Sequence, residues 1–479
     1  MATQNPGHVQ GGLLDPATIQ DFRNRVRGAI LESSHSEYED ARRLQNGLID
    51  RRPALIVRCS GPADVVEAVN FAGDRGLLLS IRGGGHNVAG NAMNDGGVVI
   101  DLSGMRGVHV DAASRTVRAA GGATWSDVDR EAQLFGLAVP GGVVSTTGVG
   151  GLTLHGGYGH LRRTHGLSID NLLSVQIVTA DGQVRTASST EHTDLFWAVR
   201  GAGSNFGVVT SFEFRAHPVG PLVQLCAPFY ALEDGRTALR AWREFNAAAP
   251  DEINSLAVVW SVPDVDAFPA ELRRRPVVIL ATVYVGPPEE GARIMQPLRE
   301  LATPLLDLSG PMPYTALQSS FDPFFPKGRF YYWKSTNVHD LSDACIDTIL
   351  AAAADRPSHM SDIPIWHLGG AMSRPAPEAT AYGRRDAPYL VTAEATWTDA
   401  ARNDANIHWA RELVTAMRPF SRGGLYLNFA GFGEEKEAML RDAYGPNYDR
   451  LMALKARYDP ENLFRMNLNI RPTAGATPA

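Results

Sequence analysis

Three glycine clusters constrain this chain more than any other feature: RGGGHN at 82–87, PGGVVSTTGVGGLTLHGGYG at 140–159 and RGAGSNFG at 200–207. Glycine loses the most freedom on folding, so such runs do not sit inside long helices or strands. They favour loops whose backbone amides, freed of side-chain bulk, approach an anionic ligand closely. Two familiar nucleotide fingerprints fail. The P-loop pattern GxxxxGK[ST] is absent. A GxGxxG turn is also missing: Gly148-Val149-Gly150-Gly151 runs into Leu152 and Thr153, and Gly201-Ala202-Gly203 reaches Phe206 where the third glycine belongs. This disfavours the doubly wound nicotinamide fold.

The segments around the clusters read as α+β. A helix is expected over 17–30, then a strand at 54–58 (ALIVR) and a helix carrying Val65, Val66, Val69 and Ala72 on one face, with Ser60 and Pro62 as its cap and first turn. The strand LLLSI (77–81) feeds the first glycine cluster. VVIDLS follows, and then VHVDAASRTVRAAGG reads as a hairpin. A helix capped by Ser126 is expected over 126–135. LLSVQIVTADGQVRTAS is a second hairpin, turning at Asp181-Gly182. Past residue 220 the glycine clusters vanish, and strands such as VVILATVYVG and YLVTAEATWTD alternate with helices such as 401–417. At 479 residues the chain exceeds one simple core. The expected units are 1–220, with its core at 50–220, a second at 221–422 built on a helix-covered sheet, and a closing segment at 423–479 containing LYLNFAG and the helical NYDRLMALKARYDP.

Several function classes drop out. With 45 basic and 52 acidic side chains the net charge is −7, which leaves no electrostatic footprint for a polyanion, so nucleic acid is not an expected partner. No apolar run approaches the roughly 20 residues of a membrane span, and the start MATQNPGHVQGGLLDP has no basic-then-apolar pattern, so a cytoplasmic protein is expected. Cys59, Cys226 and Cys345 are dispersed and suit buried thiols in a reducing compartment. His155, His160 and His165 recur every five residues, which places neighbours about 140° apart on a helix and on opposite faces of a strand. They read as loop and cofactor-proximal residues, and no metal site is expected from them.

Taken in order, RGGGHN with VVIDLS, PGGVVSTTGVGGLTLHGGYG, GLSIDNL, DLFWAVRGAGSNFGVVTSFEF and YGPNYDRLMALKARYDPENLFRMNLNIRP resemble the vanillyl-alcohol oxidase superfamily, in its berberine bridge enzyme-like branch. The resemblance spans about 51–472. It implies a two-lobe α+β fold in which an FAD lobe is faced by an antiparallel-sheet substrate domain covered by helices. It further implies FAD bonded to His86, the first loop (Arg82, Gly83, Gly84, Gly85, Asn87) on the diphosphate, and further cofactor contacts from three other segments. These are Pro140, Gly141, Gly142, Val144, Thr146, Gly148, Gly150, Gly151, Gly156, Gly157, Gly159 and His160; Gly207 and Val208; and Tyr426, Asn428, Asn467 and Asn469. A neutral imidazole in a glycine bend is a reasonable nucleophile for such a link.

Many members of that branch carry a second link through a cysteine. The matching position here is Val144, which implies a single link and disfavours an oligosaccharide substrate. Thr147 matches a position beside the reactive flavin edge where a small residue is associated with admission of dioxygen, implying an oxidase that makes hydrogen peroxide.

For the base that hydride removal needs, YLVTAEATWTD puts Thr392, Glu394 and Thr396 on one strand face. A glutamate in an apolar strand is functional or else partners an arginine. LYLNF, read as a strand, puts Tyr426 and Asn428 on one face as a proton relay and a hydrogen-bonding amide, with a plain core pair as the alternative. Lys334 in RFYYWKS is a candidate for orienting substrate or stabilising reduced flavin, or else a solvated lysine. The expected reaction is oxidation of an alcohol, amine or C–H group of a small organic substrate with O2 as acceptor. A flavin-dependent oxygenase or cyclising oxidase, a sugar oxidase, a reductase holding flavin non-covalently and an idle flavin-binding protein are the alternatives.

Overall fold

The computed structural model describes residues 14–433 and 437–473; most of the N-terminal lead lies outside them. The first helix among the described residues is Pro16–Arg25, shorter than the periodicity suggests. Asp64 explains the stop: its carboxylate accepts the Arg27 and Gly28 N–H groups at 2.7 and 3.0 Å, which draws the chain into the strand Ala29–Leu31 beside Leu55–Arg58. The same carboxylate takes both the N–H and the hydroxyl of Ser60. Gly61, not Ser60, is therefore the cap of the helix Pro62–Asp74.

That helix covers a four-stranded sheet in which Leu55–Arg58, Val98–Asp101 and Leu79–Arg82 run parallel. Beside it lies a five-stranded antiparallel sheet. The two expected hairpins (Val108–Asp111 with Thr116–Ala120, and Leu172–Val178 with Val184–Ser188) flank the central strand Val208–Arg215. The helix after the first hairpin is Trp125–Gln133, capped by Thr124, whose N–H donates to Asp127 at 2.8 Å. Ser126 instead uses its own N–H on the Ser145 carbonyl.

Residues 222–397 supply a nine-stranded sheet. Period-two alternation gives its strands two apolar faces. Ala257, Val259, Val391, Ala393 and Ala395 meet the helices Gly235–Ala247, Pro288–Arg299, Asp343–Ala354 and Asn403–Ala416. Leu256, Val258, Trp366 and Leu390 face the glycine loops instead. All three cysteines are buried thiols.

The last stretch returns to the first lobe. Leu451 of the helix Tyr448–Tyr458 packs with Leu195 and Phe212, and Leu463 and Phe464 join the core around Val98 and Ile100. Lys455, 0% exposed, holds the return in place: its ammonium donates to Asp459 at 2.6 Å, to the Asn205 carbonyl at 2.7 Å and to the Phe464 carbonyl at 2.9 Å. Asp459 in turn accepts the Leu463 and Phe464 N–H groups. A buried ammonium costs several kcal/mol unless its donors are satisfied, and here all three are. The third glycine loop, through Asn205, is thereby tied to the segment that brings Phe464 and Asn467 to the cavity.

Candidate active site

A large cavity lies between the glycine loops and the open face of the nine-stranded sheet, and the C-terminal return also lines it. Its first wall is backbone. Gly83, Gly84, Gly85 and Asn87 come from the first loop; Gly142, Val144, Thr147, Gly148, Gly150 and Gly151 from the second; Gly207 from the third. Gly84 and Gly148 explain how two loops share one wall. A Cβ on Gly84 would lie 2.4 Å from the Gly148 nitrogen, and one on Gly148 would lie 2.3 Å from the Gly84 nitrogen. Only bare backbones approach so closely.

Not every glycine serves the cavity. A Cβ at Gly141 would meet the Trp125 ring at 2.3 Å, at Gly157 the Ser168 hydroxyl at 2.1 Å, at Gly159 the Gly141 carbonyl at 1.6 Å and at Gly207 the Val178 carbonyl at 2.3 Å. A Cβ at Gly156 would press on Tyr382 at 3.1 Å. These five positions need glycine for packing; Gly141, Gly156, Gly157 and Gly159 are not among the lining residues, whereas Gly207 also reaches the wall.

Gly151 behaves differently: its Cβ would touch nothing within 4 Å. Gly150 and Gly151 are the second and third residues of the helix Val149–Leu154, so their N–H groups have no intrahelical acceptor. They make a cradle of free backbone donors suited to a diphosphate.

Other expected contacts fall outside the lining. Arg82 turns away, its guanidinium donating to the Ala41 carbonyl. Pro140 accepts from the Ser168 hydroxyl at 2.6 Å. Val208 is core, and Asn469 is not among the lining residues, its side-chain oxygen buried with no partner among the described residues. His160 sits one layer back, stacked 6.4 Å from the lining residue Phe321. Asn467 does line the cavity; its amide lies 3.3 Å from the Ser204 hydroxyl, and its oxygen has no partner among the described residues.

His86 projects from the first loop into the cavity. Its Nε2 lies 3.1 Å from the Thr146 hydroxyl and its Nδ1 3.4 Å from the Thr147 hydroxyl. Burial lowers its pKa to about 4, so the imidazole is neutral and nucleophilic at neutral pH. His155, also lining and likewise lowered to about 4 by burial, lies 3.5 Å from the Asn467 amide.

The facing wall is aromatic and acidic. Glu394 stands in the strand Tyr389–Trp397, accepting from the Thr392 hydroxyl at 3.1 Å on the same face. Among the described residues no arginine partners it; burial raises its pKa. Directly opposite on the neighbouring strand is Asp362, also lining the cavity and also raised, by burial and by Glu394.

LYLNF is not a strand. Ser335 exchanges hydrogen bonds with the backbone of Tyr426 at 3.0 and 3.3 Å, and a 3-10 turn, Leu427–Phe429, follows. The two side chains meet nonetheless. Asn428 donates to the Tyr426 hydroxyl at 2.8 Å and to the Leu152 carbonyl at 3.0 Å, and the Tyr158 N–H donates to the same hydroxyl at 3.1 Å. Tyr158 stacks on Tyr426 with ring centroids 4.1 Å apart.

Lys334 is a correction. It pairs with Ala393, whose side chain packs under the helices, while its neighbour Trp333 pairs with Glu394 and faces the cavity. Alternation therefore puts Lys334 on the face away from the cavity.

Cavity residues that sequence reasoning did not reach include Asp362, Tyr158, Trp333 and Trp366, whereas His155 lines it as its cofactor-proximal reading expects. Only pairing across strands and loops reveals them, although an aspartate abutting the apolar run IPIWH was a visible irregularity.

The arrangement fits a long ligand whose anionic part lies on bare amides and whose planar part lies between His86, Thr147 and the aromatic wall. Comparison with known proteins agrees. Residues 53–188 match the FAD binding domain family and residues 425–471 the berberine and berberine-like family. An FAD-linked oxidoreductase of Dictyostelium discoideum is 31% identical over 95% of this chain and 97% of its own. The (R)-6-hydroxynicotine oxidase of Paenarthrobacter nicotinovorans is 32% identical over 93% and 97%. The crystal structure of 6-hydroxy-D-nicotine oxidase from Arthrobacter nicotinovorans superposes with a TM-score of 0.84 at 30% identity, covering 94% of this chain and 98% of that one.

Proposed function

Since this chain belongs to the berberine bridge enzyme-like branch of the FAD-linked oxidoreductases, we propose that it is an oxidase carrying FAD on a single covalent link through His86. The observation that carries this reading is His86 itself, held neutral at the cavity wall between Thr146 and Thr147. Val144 lines the same wall and offers no second nucleophile.

FAD, when bound, would supply a hydride-accepting group that dioxygen can reoxidise with formation of hydrogen peroxide. The chain's residues supply the rest. Gly83, Gly150 and Gly151 bind the diphosphate through backbone N–H groups. Thr147, small and at the wall, leaves room for dioxygen. Proton removal falls to Glu394 rather than Tyr426. Burial raises both, but a raised carboxyl approaches neutral pH, where a general base works best. The same push takes the Tyr426 phenol further from that range. Tyr426, which accepts from Asn428 and from the Tyr158 N–H, positions substrate instead.

The substrate is a small organic molecule bearing an alcohol, amine or C–H hydride donor, oxidised in the cytoplasm. The described residues of 1–220 and 423–479 form the FAD lobe and 221–422 the substrate lobe. The test is acid precipitation of purified protein. A yellow pellet, turned colourless by His86→Ala, is expected; colour that passes into the supernatant refutes the link. A peroxide-release screen over alcohols, amines and sugars tests the oxidase reading.

A further inference from the structure

We propose that Asp362 and Glu394 together bind the positively charged nitrogen of an amine substrate whose apolar part lies against Trp333 and Trp366. This deepens the oxidase reading above and rests on it.

The geometry is a row across three strands. Trp333 is the register partner of Glu394 on one side, and Asp362 is its partner on the other, with backbone N–H to O bonds of 3.0 and 3.2 Å between Asp362 and Glu394. Directly opposed residues point to the same face with Cβ atoms about 4.5–5.5 Å apart. All three side chains line the cavity, as do Pro364 and Trp366, two and four residues beyond Asp362 on the same face.

Charge and burial specify the guest. Among the described residues lining the cavity, Asp362 and Glu394 are the only carboxylates, and no lysine or arginine joins them. They are 4% and 5% exposed, and no ion pair among the described residues involves either. One oxygen of Asp362 is buried with no hydrogen-bond partner. Like charges directly opposed repel, and an unpaired buried charge is costly, so without a cation between them the pair holds at least one proton.

The nearest cation, Arg356, pulls the Asp362 carboxyl down by less than burial and Glu394 push it up. Arg356, behind Asp362, donates to the Val259, Trp260 and Ser361 carbonyls and the Ser261 hydroxyl. Arg162 stacks 5.0 Å from Trp366 outside the cavity lining, its donors on the His367, Gly159 and Ser255 carbonyls. The other titratable lining groups are Tyr158, Tyr331 and Tyr426, raised by burial, and His86 and His155, lowered by it. All five are neutral at pH 7. An ammonium group supplies what the row lacks: it meets both carboxylates and the face of a tryptophan. Proton release accompanies binding, and the pair stands ready to accept the proton that an alkylammonium must lose before its C–H bond gives up hydride.

Benzyltrimethylammonium, a permanent cation, and benzyl alcohol, its neutral counterpart, separate this from a polar but uncharged substrate class. Calorimetric titration of the full chain at pH 8 is expected to show the cation binding at least about tenfold more tightly than the alcohol. The heat should vary with buffer ionisation enthalpy, as proton release requires. Asp362→Asn and Glu394→Gln should each remove most of the preference for the cation over the alcohol. In the unmutated protein, cation affinity should fall steeply from pH 8 to pH 5 as the pair takes up protons, with alcohol affinity flat, so the proposal stays testable if a variant misfolds. Equal affinity for cation and alcohol, or a pH-independent cation affinity, overturns it. Flavin absorbance of the same samples is a separate readout: colourless protein counts against the FAD reading, whereas yellow protein indifferent to the cation counts against the amine alone.

Discussion

Replacing Gly151 with alanine sets two consequences against each other. Gly151 is the third residue of the helix Val149–Leu154, and an added Cβ meets no protein atom within 4 Å. Alanine in a helix is favoured over glycine by about 0.5–1 kcal/mol, so the flavin-free protein should become slightly more stable. The new methyl, however, occupies the cradle assigned to the diphosphate. Displacing one hydrogen bond to a charged group costs about 1.5–3 kcal/mol, or roughly 10- to 150-fold in affinity. The experiment belongs in a His86→Ala background, where flavin exchange is reversible, with FAD affinity read by fluorescence titration and stability by thermal melting. Gly150→Ala is the control. Its Cβ would face the Gly121 carbonyl and the Phe212 ring at 3.4 Å, away from the cradle, and FAD affinity should stay within about threefold. If Gly151→Ala melts higher yet binds FAD as tightly as its parent, the cradle does not hold the diphosphate.

Two further outcomes follow from the same geometry. Thr147→Leu should slow reoxidation by dioxygen by about tenfold or more while leaving anaerobic reduction intact, as stopped-flow absorbance will show; unchanged reoxidation removes Thr147 as the oxygen gate. Lys455→Met removes the ammonium that pairs with Asp459 in a fully buried site and should cost about 3–5 kcal/mol in urea unfolding, with loss of under about 1 kcal/mol refuting the anchor.

Elements governed by local rules were legible. Both hairpins were, because alternation and an Asp-Gly turn are short-range signals, and Gly182 adopts φ +70° as that turn requires. Ends decided by a distant group were not: Asp64 stops the first helix by capturing Arg27 and Gly28, 37 and 36 residues away. LYLNF has strand-like residues, but Ser335 takes its backbone bonds. The face assigned to Glu394 was readable because alternation within one strand needs no partner. Lys334 misled because its position relative to the cavity depends on which face of the sheet the helices cover.

The amino-acid order alone determined that bare backbone must gather at three places and that His86 stands in the first of them, since glycine's lack of a Cβ is a property of the residue itself. It also determined the FAD-linked family, whose motifs run nearly the whole length. Tertiary structure alone decided which glycines wall the cavity and which merely let segments touch, because that depends on what a Cβ would meet. It also set Asp362 opposite Glu394, 32 residues apart in the chain and joined only by strand register, which no local pattern encodes.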